Sequence, residues 1–186
     1  MELILALDAG TSGVRTAAFD QRGELVDSSY RELTQYFPGP GLVEHDPAEI
    51  ADLAIATLSE VAKKAQAAGH KILSIGITNQ RETTVAFDRA NGEILHRAIV
   101  WQDKRTAPLC DEMTSSGHSD LVRKTTGLVI DSYFSATKMK WLIDNGSLSG
   151  ATSPALCTVD TWLLWKLCGT YVTEPSNASR TMLMDL

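Results

Sequence analysis

Residues 8–15 read DAGTSGVR and separate two apolar runs, residues 3–7 and residues 14–19. Each apolar run is followed by an aspartate, and Gly10 and Gly13 give the connecting segment backbone freedom. Such a pattern is typical of two antiparallel strands joined by a tight turn. We therefore predict a β-hairpin at the start of the chain.

The tip of this hairpin has the chemistry of an anion site. Backbone N–H groups of a glycine-containing turn can point into one concavity, and the hydroxyls of Thr11 and Ser12 add donors that suit phosphate oxygens. Asp8, at the end of the first strand, is placed to hold Mg²⁺ directly or through water. The spacing matches neither a P-loop nor a dinucleotide-binding fingerprint, both of which open a helix. A purely structural hairpin remains the alternative from this stretch alone.

The composition is that of a globular protein of one domain or a little more. Of the 186 residues, 44% are hydrophobic, and 23 Asp and Glu outweigh 17 Lys and Arg, for a net charge of −6. This charge argues against a nucleic-acid partner. No window approaches the roughly 20 apolar residues of a membrane span, and no basic segment precedes the first apolar run as in a signal peptide. The three cysteines, Cys110, Cys157 and Cys168, suit reduced thiols, and we expect a cytoplasmic protein.

A third strand, a long helix and a fourth strand are predicted next. The third strand covers residues 25–31. The helix begins at Pro47, with Asp46 as its N-cap and Glu49 reaching back to that cap in a capping box. Residues 72–78 have the pattern of a strand that is buried on both faces.

The remaining residues predict further strands and several short helices. Strands are expected at residues 84–88, 94–101 and 155–159, and helices at residues 106–116, 120–126, 135–145 and 161–167. Ser135 is expected to cap the third of these helices. Asp160 precedes the last one and could be catalytic, but an N-cap role is the preferred interpretation. The order of elements indicates an α/β fold.

Polar residues gather at the ends of two predicted strands. Arg81 and Glu82 follow the fourth strand within NQRET, residues 79–83, and Trp101 ends the strand predicted at residues 94–101. Ligands of α/β sheets bind at such strand ends. A guanidinium beside a carboxylate can bind vicinal hydroxyls, and an indole ring offers an apolar face to a carbon skeleton. The alternatives are a solvated charge pair and a core tryptophan, while Tyr133, in a loop, fits a binding role and a structural role equally well.

A series of stretches, in order along the chain, resembles the FGGY family of carbohydrate kinases and in particular its glycerol-phosphorylating members. They are LDAGTSGVR from Leu7, GLVEHDP from Gly41, IGITNQRETT from Ile75, AIVWQDKRT from Ala98, TGLVIDSYFSATKMKWL from Thr126, TVDTWLLWK from Thr158 and SNASRTML from Ser176. The resemblance implies an actin-like, ribonuclease-H-like ATPase fold with a mixed sheet and a β-β-β-α-β-α order. It also implies that residues 1–186 are most of the amino-terminal kinase domain, truncated before its end and without the carboxy-terminal domain.

The resemblance further implies an activity and a site. The expected enzyme transfers the γ-phosphoryl group of ATP, with Mg²⁺, to a primary hydroxyl of glycerol or a close polyol. Matching positions put Thr11, Ser12, Gly13 and Arg15 around the ATP phosphates, Asp8 beside the metal, Arg81, Glu82 and Tyr133 on the polyol hydroxyls, and Trp101 against the carbon backbone. The proton-accepting Asp of the family follows the last matching stretch, so we expect the catalytic base beyond Leu186 and none within the chain. A homo-oligomer of the full-length protein is left open.

Two other functions are compatible with parts of this pattern, and two positions depart from it. A kinase for another sugar or polyol would keep the hairpin and change the polyol residues, and a non-catalytic actin-like nucleotide-binding module would lack those residues. Ala9 stands where glycerol-phosphorylating members usually carry Gln. Ser132 stands where Pro usually precedes the Tyr, which predicts a looser loop around Tyr133.

Overall fold

The structure is a computed structural model that describes residues 1–186. The chain divides into two compact units, each made of two segments. The first unit is Met1–Thr34 with Ala48–Gln80, and the second is Gln35–Pro47 with Arg81–Leu186. No Pro-, Gly- or Ser-rich linker in the sequence marks this division, and one of the boundaries, between Pro47 and Ala48, falls within the first turn of a helix.

The strands and helices follow one another along the whole chain. In chain order they are β1 Glu2–Ala9, β2 Gly13–Phe19, β3 Leu25–Glu32, β4 Glu44–His45, α1 Pro47–Ala67, β5 Lys71–Asn79, β6 Thr84–Asp88, β7 Ile94–Ile99, α2 Ala107–Ser115, α3 Ser119–Thr126, α4 Ser135–Asp144, β8 Pro154–Thr158, α5 Val159–Cys168 and α6 Pro175–Ala178. The expected β-β-β-α-β-α order holds through β5, except that β4 precedes α1. The next helix, α2, comes only after the β6–β7 hairpin. None of the helices is long and apolar enough to cross a membrane.

The first unit contains a mixed four-stranded sheet of order β3-β2-β1-β5. The β1–β2 and β2–β3 pairs are antiparallel, whereas β1 and β5 are parallel. The predicted first hairpin and the predicted mixed sheet are therefore confirmed, and β3 continues the hairpin as a third antiparallel strand. A parallel neighbour for β1 needs a crossover connection, and α1 lies in that connection.

Alternation along β1 gives the sheet one buried and one open face. Leu3, Leu5 and Leu7 are buried, whereas the intervening Ile4 is 49% exposed and Asp8 is also exposed. Helix α1 covers the buried face, where the hydroxyl of Thr16 on β2 donates to that of Thr57 on α1 at 3.0 Å. Asp8 consequently lies on the open face.

The prediction that the strand after α1 is buried on both faces is wrong. Leu73 and Ile75 of β5 are 49% and 50% exposed. Strand β5 forms one edge of the sheet, so only β1 flanks it. The apolar residues of this segment predicted a strand correctly, but they do not say how many neighbours the strand has.

The start of α1 was located correctly from its sequence signals. The helix begins at Pro47 as predicted. Glu49 was expected to reach back to Asp46, and its Oε1 atom accepts hydrogen bonds from the backbone N and the hydroxyl of Thr34, at 3.1 and 2.8 Å. The carboxylate of Glu49 thus ties α1 to the segment after β3.

The second unit contains an antiparallel four-stranded sheet of order β4-β7-β6-β8. Its apolar core includes Ala86 of β6, Ile99 of β7 and Leu142 of α4, all fully buried. Phe87 lies against Trp162 of α5, with ring centroids 4.8 Å apart. Strand β4, with two residues, was missed by the sequence analysis because a strand this short has no periodicity to detect.

Both predicted helix caps in this unit are wrong. The N-cap position of α4 is Phe134, and the hydroxyl of Ser135 donates to the backbone carbonyl of Glu82 at 3.0 Å. The N-cap position of α5 is Thr158, and Asp160 lies inside the first turn. The buried Asp160 carboxylate accepts hydrogen bonds from the hydroxyls of Thr158 and Thr173. Ser135 therefore bonds a residue distant in sequence, and Asp160 bonds the N-cap residue Thr158 and the more distant Thr173, in place of the expected local capping bonds.

Candidate functional site

The predicted phosphate loop is a three-residue turn between β1 and β2. The carbonyl of Ser12 in this turn accepts hydrogen bonds from the Tyr30 hydroxyl at 3.2 Å and from the Leu33 backbone N–H at 3.1 Å. Both donors belong to β3 and the residue that follows it. The third strand therefore fixes the conformation of the hairpin tip before any ligand binds.

Gly13 is required by a close approach, not by its backbone angle. Neither Gly13 nor Gly10 has a positive φ, so the expectation that they supply backbone freedom is wrong. A Cβ atom on Gly13 would lie 2.3 Å from the Tyr30 hydroxyl oxygen and 2.5 Å from the Arg31 carbonyl oxygen. Glycine is the residue that lets β3 pack against the hairpin tip at this distance.

Asp8 and Arg15 form a cross-strand pair next to the turn, and both side chains are exposed. The guanidinium of Arg15 lies 5.8 Å from the centroid of the Tyr30 ring. Nowhere in the chain do three or more His, Cys, Asp or Glu side chains form a group that could hold a metal ion. A single exposed carboxylate suits Mg²⁺ that takes its other ligands from phosphate oxygens and water, and does not suit an all-protein metal cage.

Glu82 occupies an unusual position in the second unit. It is 2% exposed, and its φ of 64° lies in the left-handed region, which side chains other than glycine seldom adopt. Its Oε1 atom accepts a hydrogen bond from Nε of Arg180 at 2.7 Å. This bond raises the pKa of Arg180. Glu82 is thus a buried carboxylate in a strained conformation, with one guanidinium as its counter-ion.

Arg81 and Glu82 are adjacent in sequence, but Glu82 forms its ion pair with a different arginine. Arg81 is exposed in the turn before β6, and the guanidinium that binds Glu82 comes from Arg180, ninety-eight positions later in the chain. Adjacent residues in an extended or turned backbone point in different directions, so sequence adjacency was a poor guide to pairing. A role of Arg81 in binding hydroxyls stays a prediction.

The two predicted aromatic residues lie together. The rings of Trp101 and Tyr133 have centroids 5.3 Å apart and are tilted by 58°. Tyr133 also contacts Phe134 at 5.3 Å. The guanidinium of Arg180 lies 5.7 Å from the Tyr133 centroid. Glu82, Trp101 and Tyr133, predicted from three separate stretches, are therefore linked through Arg180 and ring contacts in one unit.

The Tyr133 loop is held by charged side chains, contrary to the looseness expected from Ser132. Nζ of Lys138 donates to the carbonyls of Tyr133 at 2.7 Å and Phe134 at 3.1 Å, and also to that of Ser132. The Asp131 carboxylate accepts from the Tyr133 backbone N–H at 2.7 Å. These bonds restrict the backbone where proline would have restricted it by its ring.

Arg180 and Lys138 were not identified from the sequence, although each carries a signal. Arg180 lies inside SNASRTML, one of the stretches that support the resemblance. Lys138 occupies the buried stripe of α4 together with Ser135 and Leu142, at helical spacing. A lysine in a buried stripe requires polar partners, and this requirement is the signal that could have singled it out.

The stability of the chain should depend on pH through Lys138. Burial lowers the pKa of Lys138 from 10.5 to about 8, and the negative charges of Asp103 and Glu82 act in the opposite direction. Between these two pKa values the unfolded chain binds a proton that the folded chain does not bind, so this contribution to stability rises with pH. From pH 7.5 to 10 the wild type should gain up to about 3 kcal/mol over Lys138→Met in urea unfolding.

Lys124, an exposed lysine of α3, provides the control for this measurement. The Lys124→Met variant should differ from the wild type by the same unfolding free energy at both pH values. A constant difference between wild type and Lys138→Met across this range would show that Lys138 titrates as an ordinary lysine.

The first unit thus has a mixed sheet with a three-residue turn between β1 and β2, and the second unit has a buried carboxylate beside an aromatic pair. The sequence profile of the N-terminal domain of the FGGY family of carbohydrate kinases matches residues 3–186. The chain therefore belongs to the FGGY family of carbohydrate kinases.

Within the family, the chain is similar to glycerol kinases. It is 49% identical to glycerol kinase of Dechloromonas aromatica and 50% identical to that of Delftia acidovorans. All of this chain is covered in both comparisons, but only 38% and 39% of those proteins. The chain thus spans less than half the length of these relatives.

Solved structures show the same relationship. Plasmodium falciparum glycerol kinase with ADP has a TM-score of 0.91 and 34% identity, over all of this chain and 38% of that protein. A ligand-bound xylulose kinase from Lactobacillus acidophilus has a TM-score of 0.90 but 21% identity, over all of this chain and 37% of that protein. The second likeness shows the shared fold alone.

Proposed function

We propose that the chain is the amino-terminal part of an ATP-dependent kinase that phosphorylates glycerol to glycerol 3-phosphate. The observation that carries this proposal is the identity of about half of all residues with two glycerol kinases, over the whole chain. Among the solved structures, the identity to the glycerol kinase is 34% and that to the xylulose kinase is 21%, at TM-scores of 0.91 and 0.90. The fold is common to the family, whereas this difference in identity favours glycerol over a pentulose.

The first unit supplies the phosphate side of the proposed reaction. Thr11, Ser12, Gly13 and Arg15 would surround the ATP phosphates, and Asp8 would hold Mg²⁺. Bound Mg²⁺ neutralises charge on the transferring phosphoryl group. The turn between β1 and β2 is held by Tyr30 and Leu33, which supports the role because donors that are fixed in advance need no reorganisation in the transition state.

The second unit supplies the polyol side. Glu82 accepts a hydrogen bond from a polyol hydroxyl, Arg81 and Tyr133 bind the other hydroxyls, and Trp101 covers the carbon backbone. The left-handed backbone of Glu82 supports this role. Such strain costs about 1–3 kcal/mol and is concentrated at functional sites, where the geometry serves the ligand and not the fold.

The remaining parts of the enzyme are proposed to follow this segment in the full-length protein. They are the rest of the amino-terminal domain and a carboxy-terminal domain, with the proton-accepting Asp and the adenosine pocket. The fraction of the relatives' length that this chain covers, 38%, is consistent with that division. We propose a cytoplasmic enzyme without a nucleic-acid partner, and its oligomeric state is a matter for measurement.

The substrate can be tested with the full-length protein that contains this segment. ADP release from MgATP is followed with glycerol, xylulose and gluconate as separate acceptors. The proposal expects glycerol to have the largest kcat/KM. A larger value for either of the other acceptors would assign the protein to another FGGY activity, and no acceptor-dependent ADP release at all would favour a nucleotide-binding module.

Glu82→Gln should lower kcat/KM for glycerol about 10- to 100-fold in the full-length protein. The change keeps the shape of the side chain but removes a charged acceptor, and a weakened hydrogen bond to a buried group costs about 1–3 kcal/mol. Glu112→Gln is the control, because Glu112 is an exposed glutamate of α2 in the same unit. Wild-type kinetics in a folded Glu82→Gln protein would remove Glu82 from the polyol site.

A further inference from the structure

Arg180 connects the parts of the proposed polyol site. Its Nε atom donates to Oε1 of Glu82 at 2.7 Å. Its guanidinium carbon lies 4.9 Å from the Phe134 ring centroid and 5.7 Å from that of Tyr133. Both distances are within the range of cation–π contacts. One side chain therefore touches the buried carboxylate and the aromatic segment, which come from distant parts of the sequence.

The charge of Glu82 makes this contact necessary. A carboxylate that is 2% exposed is unfavourable without a partner, and Arg180 is the cation with which it forms an ion pair. Nε engages Oε1, so a polyol hydroxyl can be bound at Oε2. The position of the Arg180 guanidinium therefore determines which carboxylate oxygen of Glu82 is left to bind the substrate.

The backbone around Arg180 is fixed as well. The carbonyl of Thr181 accepts from the Ala136 backbone N–H at 2.8 Å, which ties this segment to the first turn of α4. The backbone N–H of Arg180 donates to the Asn177 carbonyl at 3.0 Å. These two hydrogen bonds fix the backbone from which the Arg180 side chain extends. The side chain itself is only partly exposed.

We propose that Arg180 is a positioning residue of the polyol site, which orients the Glu82 carboxylate and the Tyr133 ring for the substrate. The inference rests on the proposed function and adds to it a residue outside the matching polyol set. Arg180 acts on glycerol through Glu82 and Tyr133, so its loss should weaken polyol binding and leave nucleotide binding unchanged.

The test compares the wild type with Arg180→Gln and Arg180→Lys in the full-length protein. Arg180→Gln should raise KM for glycerol about tenfold or more, with KM for ATP within about twofold of wild type. Arg180→Lys keeps a cation for Glu82 but lacks the planar group that lies over two rings, so its KM should fall between those of the other two proteins. Unchanged KM for glycerol in both variants would overturn the proposal.

A double variant keeps the test valid if Arg180→Gln unfolds the protein by leaving Glu82 without a counter-ion. Glu82→Gln with Arg180→Gln has no buried charge at the pair and should melt near the wild type. Its KM for glycerol should rise by less than the product of the two single effects, because Arg180 acts partly through Glu82 and only its effect on Tyr133 is left to lose. Two independent effects that multiply in the double variant would contradict the positioning role.

Two further comparisons separate this proposal from the proposed function. Arg123→Gln removes an exposed guanidinium of α3 in the same unit and should behave as the wild type. A wild-type protein that does not phosphorylate glycerol would refute the proposed function. Glycerol phosphorylation by the wild type, with no effect of either Arg180 variant, would refute only the role of Arg180.

Discussion

Asp8→Asn should lower kcat of the full-length protein by about 100-fold or more while its melting temperature stays close to that of the wild type. The substitution keeps the shape of the side chain and removes the carboxylate charge that is proposed to hold Mg²⁺ at the ATP phosphates. Metal and charge stabilisation of a transferring phosphoryl group contribute several kcal/mol to lowering the barrier, so the loss falls on the chemical step.

Stability should change little because Asp8 is exposed on the open face of the first sheet. Exposed substitutions away from caps and ion pairs usually change unfolding free energy by no more than about 0.5 kcal/mol. Asp52→Asn, at an exposed aspartate of α1 in the same unit, is the matched control. If the activity lost in Asp8→Asn is matched by the fraction of protein unfolded, Asp8 has a structural role and not a catalytic one.

The 186-residue chain alone should show no glycerol-dependent ADP release above background. General-base catalysis contributes about 10²- to 10⁴-fold, and the carboxylates of this chain that could replace the missing base already have other roles. Asp8 is assigned to the metal, Glu82 is paired with Arg180, and Asp160 binds two hydroxyls. The reductions in rate that follow from lacking the base and from lacking an adenosine pocket multiply.

The measurement is a coupled ADP-release assay on the purified chain with glycerol and MgATP. Glu82→Gln in the same chain reveals any contaminating kinase, since a contaminant is indifferent to this substitution. Turnover at ordinary kinase rates that disappears in Glu82→Gln would mean that the catalytic base lies within residues 1–186.

Elements with strong local signals were predicted well from the sequence. The first hairpin was located from its glycine-containing turn, and α1 from Pro47 onwards. Failures came where distant contacts decide. Ser135 and Asp160 have the residue types of caps, but Glu82 and Thr173 are better partners in the folded chain. The burial of β5 depends on its place in the sheet, which no local pattern encodes.

The candidate site was predicted in part. Glu82, Trp101 and Tyr133 were chosen from strand ends and from the family resemblance, and Tyr133 does lie beside Trp101. The arginine that pairs with Glu82 could not be predicted, because the two residues lie 98 positions apart in the sequence. Lys138 was overlooked since a lysine in a short helix ordinarily faces water.

The left-handed backbone of Glu82 has a consequence for how this position can vary. Glycine at position 82 would relieve roughly 1 kcal/mol of strain, but it would leave Arg180 without its ion-pair partner and would remove the acceptor proposed for the substrate. Breaking a buried ion pair by removing one partner costs about 3–5 kcal/mol, so stability and turnover both oppose glycine at a position whose backbone angle favours it. A library screened only for resistance to heat should therefore keep glutamate here, and its survivors would retain the acceptor without any selection for the reaction.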